Sequence, residues 1–174
     1  MKRVIILNNH VGLVFRNGAL KRVLQAGTYW LAWGETLEQY NRSQPFFPEQ
    51  ELNVLLQNDE LAILLQVVDL RDNQIGLLYR DNIFSQVLGP GKFAFWKGPT
   101  EYQVVTADIS DYRIDAAIDA AILEKAALAP YVRTTKLEAH ERGILLIDGK
   151  QETILEPGSY YWWKNATAIS VLKA

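Results

Sequence analysis

A single pattern recurs three times along this chain and constrains its fold more than any individual residue. Val11-Gly12-Leu13-Val14-Phe15-Arg16-Asn17-Gly18 leads on to Val23-Leu24-Gln25-Ala26-Gly27-Thr28-Tyr29. Ile75-Gly76-Leu77-Leu78-Tyr79-Arg80-Asp81-Asn82 leads on to Val87-Leu88-Gly89-Pro90-Gly91-Lys92-Phe93. Arg142-Gly143-Ile144-Leu145-Leu146-Ile147-Asp148-Gly149 leads on to Ile154-Leu155-Glu156-Pro157-Gly158-Ser159-Tyr160. In each copy the second glycine follows the first by 15 residues. Residues 11–34 and 75–98 are identical at seven of 24 positions, and 75–98 and 142–165 at eight. Turn chemistry explains shared glycines but not the shared pairs Trp96-Lys97 and Trp163-Lys164, so the repeat reads as internal duplication.

The local chemistry predicts strands. Asn17-Gly18 and Asp148-Gly149 suit a two-residue hairpin turn, and Asp81-Asn82 is a weaker form of the same signal. Ala26-Gly27, Pro90-Gly91 and Pro157-Gly158 read as a second turn of type II, with glycine taking positive φ. Each copy is therefore expected to run strand, turn, strand, turn, strand. Gly12, Gly27, Gly76, Gly91, Gly143, Gly158, Pro90 and Pro157 are the expected turn-forming residues. One more strand is expected before each copy (Val4–Leu7, Val67–Leu70, Val132–Leu137) and one after (Thr36–Tyr40, Tyr102–Thr106, Ala168–Leu172).

Helices are expected between copies. Ile114, Ala117, Ile118, Ala121 and Ile122 recur at helical spacing in an alanine-rich run that predicts a helix to Leu128, stopped by Pro130. A shorter helix is expected over Asp59–Leu65, capped by Asn58. Asn41–Gln50, with two prolines, reads as loop. The expected class is mostly-β α+β, with three antiparallel modules joined by short helices. The expected divisions are residues 1–65, 66–131 and 132–174. Because the chain stops at Ala174 just after a strand, a continuation is expected.

Composition narrows the functional classes. With no cysteine, disulfides and thiolate metal sites are excluded. A net charge of −2, without a Lys/Arg cluster, argues against nucleic-acid binding. No apolar run approaches the ~20 residues of a membrane helix, so a cytoplasmic location is expected. His10 and His140 do not align in the repeat. No serine lies in a Gly-x-Ser-x-Gly context, and Gly89-Pro90-Gly91 and Gly98-Pro99 lack the ending of a phosphate loop. The acidic run Asp108, Asp111, Asp115, Asp119 reads as charge at a helix N-terminus, against a calcium-site alternative. No metal, cofactor or catalytic residue is expected.

The five tryptophans, Trp30, Trp33, Trp96, Trp162 and Trp163, are placed on the aromatic third strands. Alternation puts Trp162 and Trp163 on opposite faces, which predicts that at least one is exposed or at an interface. Trp33, Trp96 and Trp163, rimmed by Lys97 and Lys164, are the candidate contact residues. They suit a protein partner or self-association. The alternative is a small-ligand or carbohydrate site on the same tryptophans.

The stretch from Glu141-Arg142-Gly143 to Glu156-Pro157-Gly158-Ser159-Tyr160 resembles the opening hairpin of stomatin/prohibitin-type (SPFH, band 7) domains. The first two copies resemble the repeated N-terminal extension of certain bacterial slipins. The resemblance implies a non-catalytic, self-assembling scaffold peripheral to the inner membrane. Membrane attachment would then come through regions missing here or through partners, since neither the membrane hairpin nor the long C-terminal helices common in that family are present in this sequence.

Overall fold

The computed structural model describes all 174 residues, Met1–Ala174, and 53% of them are strand against 9% helix. The expected mostly-β class with small antiparallel sheets is therefore the observed one. Each copy of the repeat holds five strands. The first copy contains β1 (Lys2–Ile6), β2 (His10–Arg16), β3 (Ala19–Leu24), β4 (Gly27–Leu31) and β5 (Glu35–Asn41). The second contains β6 (Leu65–Leu70), β7 (Gln74–Arg80), β8 (Ile83–Leu88), β9 (Gly91–Trp96) and β10 (Tyr102–Asp108). The third contains β11 (Val132–Leu137), β12 (Gly143–Ile147), β13 (Lys150–Leu155), β14 (Gly158–Trp163) and β15 (Ile169–Lys173).

The three copies share one topology. The first strand pairs with the fourth, and the second sits between the third and the fifth: β1-β4 with β3-β2-β5, β6-β9 with β8-β7-β10, and β11-β14 with β13-β12-β15. Register repeats with it. Gly12 faces Leu24 as Gly143 faces Leu155, and both hairpins carry the same bulge, after Val14 in β2 and after Leu145 in β12. Ile6 opposite Gly27 likewise matches Leu137 opposite Gly158. A shared bulge is difficult to attribute to turn chemistry, which acts only at the loop.

The hairpin turns follow the sequence expectation. Asn17 and Gly18 have φ of 52° and 77°, Asp81 and Asn82 of 49° and 65°, and Asp148 and Gly149 of 49° and 80°, the two consecutive positive values of a type I′ turn. The second turn is different. Gly27, Gly91 and Gly158 have φ of 152°, 139° and 147°, well beyond the ~80° of a type II turn. Each opens the fourth strand, which leaves the hairpin and pairs with the first strand instead. The Pro-Gly position is thus a corner between two sheets, not a second hairpin.

Gly12, Gly76 and Gly143 are not turn residues either, since they lie in β2, β7 and β12. A Cβ on Gly12 would stand 2.5 Å from Ile6 Cδ1, and one on Gly143 would stand 3.0 Å from Leu137 Cδ1, each a side chain of the two-stranded ladder. In the first and third copies, glycine is there so that the two-stranded ladder can lie close against the three-stranded sheet.

By compactness the chain divides into two units, which cut through the second copy rather than following the copy boundaries. One comprises Met1–Asp69, Tyr79–Ile83 and Gly91–Val104, and the other Leu70–Leu78, Phe84–Pro90 and Val105–Ala174. In the first unit, strand alternation sends Val14 into a core with Ile6, Leu24 and Leu31. It sends Val11, Leu13 and Phe15 into a second core with Phe46, Leu55, Leu61, Leu65, Ala94 and Trp96. β2 is covered on both faces, which is why it reads as a near-continuous apolar run. In the second unit, Leu137, Leu145, Leu155 and Trp162 form a core with Ile169 at the positions of Ile6, Val14, Leu24 and Leu31. In the second copy Leu70, Leu78, Leu88 and Phe95 hold those positions and are also buried.

The helices are shorter than expected. Asn58 does cap α2 (Asp59–Ala62), following α1 (Leu52–Leu55), and accepts a hydrogen bond from the Leu61 amide. Residues 114–128 hold only α3 (Ala120–Leu123) and a 3₁₀ turn, Ala126–Leu128. The aspartates explain this. Asp108, Asp111, Asp115 and Asp119 each accept a hydrogen bond from the amide two residues on, at Ser110, Arg113, Ala117 and Ala121. Such turns compete with helical bonding and override alanine's preference. Only Asp119 caps a helix, so the acidic run is chiefly a series of Asx turns. Hydrogen bonds from the Ser110 hydroxyl and amide hold the Asp108 carboxyl below its usual range, and the Arg113 amide does the same for Asp111.

Candidate functional site

The structure separates the five tryptophans. Trp96 and Trp163 end β9 and β14 with side chains only 2% exposed, and Trp162 is buried beside them in sequence. Both faces of β14 are covered at its C-terminal end, so alternation is obeyed without exposing either residue. Trp162 enters the core of its own copy, stacked near Tyr160 at 6.1 Å between ring centroids. Trp163 takes the other face, at the position Trp96 holds in β9. Trp96 packs on Phe46 at 4.8 Å and on the outer side of β2. As core residues, Trp96 and Trp163 cannot form the contact surface expected of them.

Lys97 and Lys164 also have a backbone role. The Lys97 amide donates to the Leu64 carbonyl and the Lys164 amide to the Tyr131 carbonyl, both at 2.8 Å and both 33 residues back. The Lys164 Nζ donates to the Ala129 carbonyl at 3.0 Å, and the Lys97 carbonyl accepts from Arg42. The Trp-Lys pair recurs because it buries an aromatic and closes the end of a strand.

Trp33 is 83% exposed and Trp30 56%. Trp33 lies beyond β4 in a tight turn closed by the Glu35 amide on the Ala32 carbonyl, with Gly34 at φ 83°. That places Trp33 at the outer corner of a type II turn. The corner is held firmly. Arg16 donates to the Trp33 carbonyl and Arg22 to the Trp30 carbonyl. Glu35 Oε1 accepts from the Ala32 amide at 2.7 Å and pairs with Arg22 at 3.3 Å. A shallow depression of about 250 Å³ beside it is lined by Met1, Lys2, Leu31, Trp33 and Glu35. Trp30 projects with Arg3, its cross-strand partner, and with Ile5 on the outer face of the β1-β4 ladder.

Sequence reasoning missed a second exposed surface. On the outer face of β13-β12-β15, Ile144 lies directly opposite Ile154 on one side and Leu172 on the other. The three form one apolar row across the sheet, 62% exposed at Ile154, 56% at Leu172 and 36% at Ile144. The equivalent of Ile144 in the first copy is Leu13, which is fully buried. The available signal was apolar residues facing outward at a fixed repeat position, but sequence alone does not say which copy is covered.

No buried charged side chain and no group of three or more metal-ligating side chains is found, and no helix is long and apolar enough to cross a membrane. His10 Nδ1 lies 2.8 Å from the Asn8 carbonyl at a strand start, and His140 is in an exposed turn. Neither converges with other polar groups. No family model, curated protein or solved structure matches this chain.

Besides Asp108 and Asp111, three tyrosines have shifted pKa values. Burial raises the Tyr40 pKa most, followed by its 2.7 Å hydrogen bond to Glu38 and the charges of Glu38 and Glu49. Burial also raises Tyr102, and a hydrogen bond to Glu124 raises Tyr161. A raised pKa means the folded state holds these protons more tightly than the unfolded one. Their stabilisation is complete below the ordinary tyrosine value of about 10 and declines as pH rises above it. Absorbance titration near 295 nm should show Tyr40 and Tyr102 ionising late, together with loss of the far-ultraviolet dichroism. Simple ionisation of all eight tyrosines near their ordinary value, with the fold intact, would contradict this.

Proposed function

We propose that this chain is a non-catalytic interaction module that presents apolar surface on rigid β-scaffolding to protein partners. The observation that carries the reading is the Trp30–Gly34 corner. Two tryptophan side chains stand in solvent there, close together on a main chain fixed by hydrogen bonds from Arg16 and Arg22 and by Glu35, and tryptophan is the residue type most enriched at contact hot spots. Surface tryptophan backed by a fixed main chain suits a contact residue, because little main-chain entropy is lost on binding. The resemblance of Glu141–Tyr160 to the opening of SPFH domains supports the same reading and adds a slipin-like scaffold, peripheral to the inner membrane, as the setting.

The test is comparative co-purification from the native host under mild cross-linking. The intact chain should retain partner proteins that the Trp30→Ala/Trp33→Ala double variant loses, with both folding alike by circular dichroism. Identical partner sets would remove the support. The depression beside Trp33 favours a second reading, a small-ligand site such as one for a sugar ring. Saturable quenching of tryptophan fluorescence by a soluble saccharide, lost in Trp33→Ala, would favour it over the first.

A further inference from the structure

The repeat indicates what belongs on the exposed row Ile154, Ile144, Leu172. In the first unit, the equivalent outer face of β2 is covered by the connecting segment through Phe46, Leu55 and Leu61, by Leu65 and by the outer residues of the next copy's fourth strand, Ala94 and Trp96. This junction joins the second-strand face of one copy to the first-and-fourth-strand ladder of the next. The ladder face of the first copy, β1-β4, is itself uncovered. Its residues at the positions of Leu65, Ala94 and Trp96 are Met1, Trp30 and Ala32, with Ile5 and Arg3 alongside. Met1, Ile5 and Trp30 are all exposed.

The chain thus carries one uncovered face of each kind that its internal junction brings together. We infer that two copies of this chain associate head to tail, the β1-β4 face of one copy seating on the β13-β12-β15 face of another. The contact is heterologous, so a pair retains one free face of each kind and can add further copies. Between separate chains the contact depends on concentration. The inference rests on the interaction-module reading but concerns only self-association.

Sedimentation velocity on the intact chain tests it between about 1 µM and 1 mM, the span of dissociation constants open to a small contact. The weight-average mass should rise above 19.8 kDa with concentration. Ile154→Glu and Trp30→Glu, both at exposed positions, should each remain monomeric alone. Mixed together, they should form a one-to-one pair and nothing larger, because each variant supplies the face the other lacks. A monomeric intact chain at all concentrations overturns the inference, and so does self-association of either variant alone. A monomeric result leaves partner capture by the Trp30–Trp33 corner standing, so the two readings fail separately.

Discussion

Replacing Trp96 by alanine is expected to destabilise the first unit by about 3–5 kcal/mol, the range for deleting a buried aromatic from a packed core. Trp96 joins Phe46 and Tyr40 on the outer side of β2, with ring centroids at 4.8 and 6.4 Å, so its loss leaves a cavity bounded by strand and connector. Its indole Nε1 is buried without a hydrogen-bond partner. Trp96→Phe should therefore cost much less, because it removes an unsatisfied donor while keeping most of the apolar contact. Equilibrium urea unfolding followed by far-ultraviolet dichroism measures both, with Trp33→Ala as a surface comparison expected within about 0.5 kcal/mol of the parent. Equal costs for Trp96→Ala and Trp33→Ala would contradict the assignment of Trp96 to the core.

Gly12→Val is the second large effect, expected to cost about 1–3 kcal/mol through overpacking. The space above Gly12 is already filled by Ile6 Cδ1 and Leu37 Cδ1, at 2.5 and 3.0 Å from the position a Cβ would take. Gly143→Val should behave alike, against Val171 and Leu137 at 2.9 and 3.0 Å. The cause is crowding between sheets and not a strained backbone, since neither glycine has positive φ. Shaving the neighbour should relieve it: Ile6→Ala should be less destabilising beside Gly12→Val than beside Gly12. A double-mutant cycle measures the coupling, and simple additivity of the two changes would refute the crowding account.

Much of the fold was legible because its determinants are local. Asn17-Gly18 and Asp148-Gly149 specify tight hairpins by the φ they accept, and apolar alternation places the flanking strands. The helix expected over residues 114–128 failed for an equally local reason. Asp115 and Asp119 offer the backbone side-chain acceptors in place of helical carbonyls, and the periodicity of Ile114, Ile118 and Ile122 concealed this. The tryptophans were harder to place. Alternation gives each residue a side of its strand but not what lies against that side. Trp163 and Trp30 both point outward from fourth strands, and one is buried while the other stands in solvent.

The sequence by itself determined the threefold repeat, the strands and the type I′ turns, because these depend on residues within a few positions of one another. Only the tertiary structure showed that the glycine opening each fourth strand is a corner between sheets. It also decided which copies of a repeated face are covered, so that Leu13 is core while Ile144, Ile154 and Leu172 meet solvent. Covering a face requires contacts between segments far apart in the chain, and an apolar residue facing outward has the same local signature whether or not another segment packs against it.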